Sequence, residues 1–171
     1  IITSDDDLAK KIRLMINFGI TGPETIECVG INCKMNEFQA AMGLTVLDEL
    51  NKIVENRKRA FGSYDLKLSK ALNFQKWNPY GQQNFHYFPI LLDSLPLLKK
   101  IQQELNQNSV FPRRYFFPSL DTLKFIDNNM EGQPISKNIS ERILCLPIYP
   151  SLDEIDIEKI CQIIMKNACA K

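Results

Sequence analysis

The chain has 171 residues, 21 basic against 20 acidic side chains, a formal net charge of +1 and 44% hydrophobic residues. That balance excludes a disordered tail and suits one soluble globular domain, or one domain with part of another. Near-neutral charge provides no global field for a phosphate backbone and argues against a dedicated nucleic-acid binder, so any anion site is local.

The chain opens on Ile1-Ile2-Thr3, a β-branched triplet suited to the end of a buried strand, and begins without Met, as the later part of a longer protein would. Ser4, with Asp5, Asp6 and Asp7 behind it, predicts a helix start. Ser4 caps a free N–H and the carboxylates face the positive end of the dipole. Leu8, Ile12, Met15 and Phe18 recur at helical spacing up to Gly19, placing this helix over 5–18. Residues 19–35, with Gly19, Gly22, Pro23 and Gly30, read as a loop crossing the surface or rimming a site.

Asn36 starts a second helix, with Gln39 completing a capping box and Phe38, Ala41, Met42, Val46 and Leu50 on one stripe. Helical spacing continues through Tyr64 and Leu68 to Leu72, with Gly43 and Gly62 as places to kink or break. The period then changes. Phe74, Lys76-Trp77 and residues 86–92 read as strands around an Asn78-Pro79-Tyr80-Gly81 turn. A helix over 95–106, a strand over 109–112 and an irregular aromatic stretch to 134 follow. The chain closes with a short helix over 136–142, a strand over 143–146 and a helix over 153–169 whose stripe runs from Ile155 to Met165. This is an α+β layout.

Five cysteines without a C-x-x-C, and the single His86, read as reduced, mostly buried thiols of a cytoplasmic protein, with no metal site. No apolar run approaches the ~20 residues that span a bilayer. One histidine removes most Ser/His/Asp and Cys/His designs, and His86 itself reads as a half-exposed strand residue, with Tyr87 and Phe88 in the core.

Three segments stand out by residue choice. Gly30 to Gly43 places a glycine, the amide of Asn32 and the cation of Lys34 ahead of a capped helix, which suits either a phosphate grip or an ordinary loop and N-cap. Val110 to Leu120 sets Arg113 and Arg114 among aromatic rings. Such guanidiniums clamp a pyrophosphate and stack on a base, or pair with surface carboxylates while the rings fill a core. Leu144 to Leu152 is an apolar strand ending in a Pro-x-x-Pro turn, structural in character, with Tyr149 able to reach a site edge.

Together and in this order, these segments resemble the DegT/DnrJ/EryC1/StrS family of sugar aminotransferases. Asn32 through Gly43 matches its Asn-x-Arg-Met-x-Glu-x-Gln-Ala-Ala-x-Gly signature, Ile1-Ile2-Thr3 its strand end before a helix, and Leu146-Pro147 its leucine-proline strand end. Residues 112–120 resemble the branch acting on thymidine-diphosphate keto-deoxy sugars. The resemblance implies the C-terminal portion of an α/β pyridoxal 5'-phosphate transferase of the aspartate aminotransferase fold (fold type I). Residues 1–50 would be a remnant of the large cofactor-binding domain with the start of a connecting helix, and 51–171 a small α+β domain.

It further implies a homodimer in which Asn32 holds the cofactor phosphate across the interface, while Lys34, Arg113, Arg114 and Tyr115 bind substrate. The substrates are an amino acid, glutamate by resemblance, and a nucleotide-linked keto-deoxy sugar of polysaccharide biosynthesis. Lys34 stands where the family carries arginine, keeping the charge without the two-pronged fork. The cofactor lysine is expected upstream, so no catalytic residue is assigned here and the fragment alone is not expected to be active. Two alternatives stay open: a pyridoxal- or pyridoxamine-phosphate-dependent sugar dehydratase of the same family, and a non-catalytic dimerisation or regulatory module.

Overall fold

Asp5, rather than Ser4, caps the first helix: its carboxylate accepts from the backbone N–H groups of Asp7 and Leu8, both at 3.0 Å. That helix, α1 (Asp6–Met15), is shorter than its apolar spacing predicts. Phe18 and Gly19 take φ values of 62° and 76°, which a right-handed helix cannot continue through. The computed structural model describes residues 1–123 and 132–169. The chain divides into two compact units, Ile1–Glu49 and Leu50–Lys171.

In the first unit the expected loop over 19–35 contains a small antiparallel pair, β1 (Ile20–Gly22) and β2 (Thr25–Ile26), with Ile20 opposite Ile26. The following segment lies tightly on the end of α1. Ile31 N–H donates to the Met15 carbonyl at 2.8 Å and Cys33 N–H to that of Ile16 at 3.0 Å. Gly30 makes this possible, because a Cβ there would lie 2.5 Å from the Met15 carbonyl oxygen and the Gly19 nitrogen. The expected strand end at Ile1-Ile2-Thr3 is absent: a strand needs a neighbour, no described residue supplies one, and both isoleucines are exposed.

The capping box at Asn36 forms as its residues predict, with Asn36 Oδ1 accepting from Gln39 N–H at 2.8 Å and Gln39 Oε1 from Asn36 N–H at 3.1 Å. It opens α2 (Glu37–Asp48). Its large apolar residues are not confined to one stripe: at 100° per residue Phe38, Met42, Leu44, Val46 and Leu47 run round the helix, and all are exposed. A helix apolar on every side normally lies enclosed by other protein.

The break comes at Glu49, at neither Gly43 nor Gly62, and α3 (Leu50–Leu68) opens the second unit. There β3 (Asn73–Phe74), β4 (Phe88–Leu91) and β5 (Ile143–Leu146) form an antiparallel sheet in that order. Lys76-Trp77 stays outside it, and β4 begins two residues later than predicted. With Phe88 opposite Leu146 and Ile90 opposite Leu144, one sheet face is continuous with the core. Among the described residues, the unit's further α-helices are α4 (Leu95–Gln107), α5 (Pro134–Arg142) and α6 (Glu154–Ala168). Ser94 and Asp153 cap α4 and α6 through side-chain oxygens.

Leu98, Ile101 and Leu105 of α4 and Ile157, Ile160 and Ile164 of α6 fill the core against Tyr64 and Leu68 of α3. Ile155, placed on the α6 stripe by spacing, is exposed, because it belongs to the first turn and lies opposite the buried side formed by Ile157, Ile160 and Ile164. Lys67 of α3 pairs with Glu158 of α6 at 2.5 Å, and Lys166 of α6 with Glu104 of α4 at 2.7 Å.

The strand expected over 109–112 reduces to one bridge at Arg113, which exchanges backbone bonds with Cys145 at 3.0 and 2.7 Å. Ser109 takes φ 62° and Pro112 has no N–H to donate, so pairing starts one residue later. The aromatic stretch to 134 contains a 3-10 turn at Leu120–Thr122, and its part over 124–131 lies outside the described residues. All five cysteines are free, but only Cys145 and Cys161 are buried, which corrects the expectation of mostly buried thiols. Among the described residues no helix is long and apolar enough to cross a membrane.

Candidate functional site

Beyond the Arg113–Cys145 bridge, the second unit opens into a cleft of about 360 Å³. Arg113 and Tyr115 form one wall, His86 and Tyr87 the second, and the end of β5 with the turn to Tyr149 the third. The turn is anchored from the core. Buried Tyr64 of α3 donates its hydroxyl hydrogen to the Pro147 carbonyl at 3.0 Å, and Leu152 N–H closes the turn on the Tyr149 carbonyl at 3.1 Å. Burial pushes the Tyr64 phenol well above its ordinary pKa, so the donor keeps its proton.

The rings meet edge to face: His86 with Tyr87 at 4.3 Å between centroids, and Tyr87 with Tyr115 at 5.2 Å. Arg113 donates to the Tyr115 hydroxyl, and its guanidinium carbon lies 5.6 Å from that ring's centre. Among the described residues no carboxylate pairs with Arg113, so its charge is unneutralised at the cleft. Cys145 also lines the wall, but burial raises its thiol pKa and keeps it a poor nucleophile.

Arg114 does not line this cleft. Its Nη2 donates to the carbonyls of Ser140 and Glu141, at 3.3 and 3.1 Å, and its guanidinium lies 3.6 Å from the centre of the Phe117 ring. Desolvation pulls its pKa down and nearby Glu141 opposes the shift.

Asn32 and Lys34 belong to the first unit. The Asn32 backbone bridges to Asn17, and its exposed side chain has no hydrogen-bond partner among the described residues. Lys34 Nζ donates to Asn17 Oδ1 at 2.9 Å and lies 4.6 Å from the centre of the Phe18 ring, so its cation is held in place.

The structure therefore joins Arg113 to Tyr115, turns Arg114 elsewhere, and holds Asn32 and Lys34 on a separate, backbone-fixed loop. Tyr87, expected in the core, is a cleft residue: it stands just ahead of β4, whose first residue Phe88 is buried, while Tyr87 is exposed and lines the cleft. His86 lines the cleft as well. The sequence offers no local signal for Tyr87 or His86, because their place depends on where the Arg113 loop lands.

The profile of the DegT/DnrJ/EryC1/StrS aminotransferase family matches residues 1–165. The chain belongs to this family. The dTDP-4-amino-4,6-dideoxy-D-glucose transaminase of Escherichia coli is 31% identical over 173 residues, covering 96% of this chain and 47% of the relative. DesI, solved in the presence of its TDP-sugar product, superposes with a TM-score of 0.86 at 26% identity, over 99% of this chain and 45% of DesI. A Streptococcus pneumoniae chain assigned as a sugar aminotransferase and solved in its PLP form has a TM-score of 0.85 at 19% identity, over 97% of this chain and 44% of that one. The chain thus spans about half the length of the family members it matches, and its α+β layout is part of the aminotransferase fold they share.

Proposed function

We infer that the intact protein is a pyridoxal-phosphate aminotransferase that moves an amino group from an amino acid, with glutamate the expected donor, to a nucleotide-linked keto-deoxy sugar. The observation that carries this reading is a guanidinium, Arg113, with no carboxylate partner among the described residues, set among aromatic rings in a cleft of a family member whose E. coli relative is a dTDP-sugar transaminase. Guanidinium beside rings recognises phosphate and base together.

The first unit fits the cofactor by its donors. Asn32 presents an amide with unspent N–H groups on a segment fixed by backbone bonds to the end of α1, which suits a phosphate oxygen. When bound, the cofactor supplies the electron sink for the transfer. Asn32 holds its phosphate from across a homodimer interface, and Lys34 adds a positioned cation on the substrate side. Arg113 and Tyr115 orient the sugar nucleotide. In this reading 1–50 is the remnant of the large domain with the start of a connecting helix, 51–171 is the small domain, and the cofactor lysine lies upstream. The exposed, all-round apolar surface of α2 supports a larger assembly. Polysaccharide synthesis in the cytoplasm is the setting.

The full-length protein should absorb at roughly 400–430 nm as isolated and release 2-oxoglutarate from glutamate when given a keto-deoxy sugar nucleotide. Absence of both signals in correctly folded protein would overturn the reading. Asn32→Ala should weaken cofactor retention roughly ten- to a hundredfold on dialysis, the range for one charge-assisted hydrogen bond. Unchanged retention removes Asn32 from the cofactor site.

A further inference from the structure

Arg113 is held beside β5 by its single bridge to Cys145, and the chain turns away from β5 at Tyr115. Arg113 and Tyr115 both line the cleft, where the first donates to the hydroxyl of the second. Arg114 lies instead against the last turn of α5. There the carbonyls of Ser140 and Glu141 form part of the negative end of the helix dipole, and a cation across them both satisfies open acceptors and matches the field. Phe117 stacks on the guanidinium, and Arg114 is not among the residues that line the cleft.

We propose that the paired arginines divide their work: Arg113 binds the diphosphate of the sugar nucleotide, and Arg114 is a positioning residue that staples the loop to α5 so that Arg113 and Tyr115 stay at the cleft. This rests on the proposed function and adds to it a role for each arginine. Arg113 has what an anion ligand requires: a charge with no carboxylate partner among the described residues, a hydroxyl that orients the fork, and an aromatic ring beside it. Arg114 has what a brace requires, two backbone acceptors about 26 residues along the chain and a ring stacked on it.

The test titrates the intact, cofactor-loaded protein with dTDP, UDP and GDP, each beside its uncharged nucleoside, at several salt concentrations. Arg113→Gln should weaken diphosphate binding roughly ten- to a hundredfold, leave nucleoside binding unchanged, and flatten the loss of affinity with added salt, since the lost contact is ionic. Arg114→Gln should lower the melting temperature and weaken diphosphate and nucleoside alike, while keeping the wild-type salt dependence. Arg114→Lys should restore part of both losses, because an ammonium still reaches a helix-end carbonyl. Equal effects of the two Gln variants on the salt dependence, or a nucleoside loss with Arg113→Gln, would overturn the division of labour while leaving the aminotransferase reading intact. Wild-type protein that carries cofactor but binds none of the three diphosphates would overturn both.

Discussion

Removing the hydroxyl of Tyr64 tests whether the cleft is held from the core. The side chain is fully buried, its ring lies 5.0 Å from that of Phe88, and its hydroxyl reaches the Pro147 carbonyl at 3.0 Å. Tyr64→Phe keeps the ring packing and deletes only the donor. A net hydrogen bond contributes about 0.5–1.5 kcal/mol, and an acceptor stranded in the interior costs about 1–3. Pro147 is half-buried, so the expected loss lies between these cases, about 1–2 kcal/mol. At roughly 2–4 °C per kcal/mol for chains of this size, the melting temperature should fall by about 2–8 °C.

The same variant changes the alkaline limb. The phenol is held above its ordinary pKa of about 10 in the folded protein, so its contribution is present in full below that value. It is lost as pH rises toward the folded value, at about 1.4 kcal/mol per pH unit, because only the unfolded chain ionises. Melting curves across pH 8–11 should therefore be flatter for Tyr64→Phe than for wild type, and the KM for the sugar nucleotide should rise as the Pro147 turn loosens. An unchanged melting temperature with an unchanged alkaline limb would refute the anchoring role.

Gly30→Ala should reduce cofactor retention at least as much as Asn32→Ala, since its Cβ would meet backbone 2.5 Å away and displace the segment that presents Asn32; spectra of dialysed protein check this. Lys67 holds Glu158 below the usual carboxylate range, and Glu158 in turn raises Lys67. The carboxylate's share of stability is present above its ordinary pKa and lost as pH falls through the depressed value. The amine's share is present below its ordinary pKa and lost as pH rises through the raised one. Lys67→Met should flatten both limbs slightly, because water screens the pair, and melting temperatures at acid, neutral and alkaline pH measure it.

Local chemistry was legible in the sequence wherever its cause is local. The Asn36–Gln39 box, the Ser94 and Asp153 caps and the 143–146 strand depend on residues a few positions apart, and the Asn32–Gly43 signature carries the family with it. Ser4 yielded to Asp5 because two neighbouring oxygens can cap the same helix and only the backbone path chooses between them. The stop at Glu49 and the exposure of the α2 apolar residues had no comparable local signal.

The division between Arg113 and Arg114 belongs to the tertiary structure. Two identical side chains in adjacent positions carry no distinguishing pattern, and their sides are set when Arg113 pairs with Cys145. The same holds for the cleft floor, where Tyr64 and Pro147 stand 83 residues apart. Composition and spacing determined which groups this chain possesses and where short-range bonds begin and end its helices. Which groups face a ligand was decided by strand register and by long-range hydrogen bonds, whose partners come together only once the core has closed.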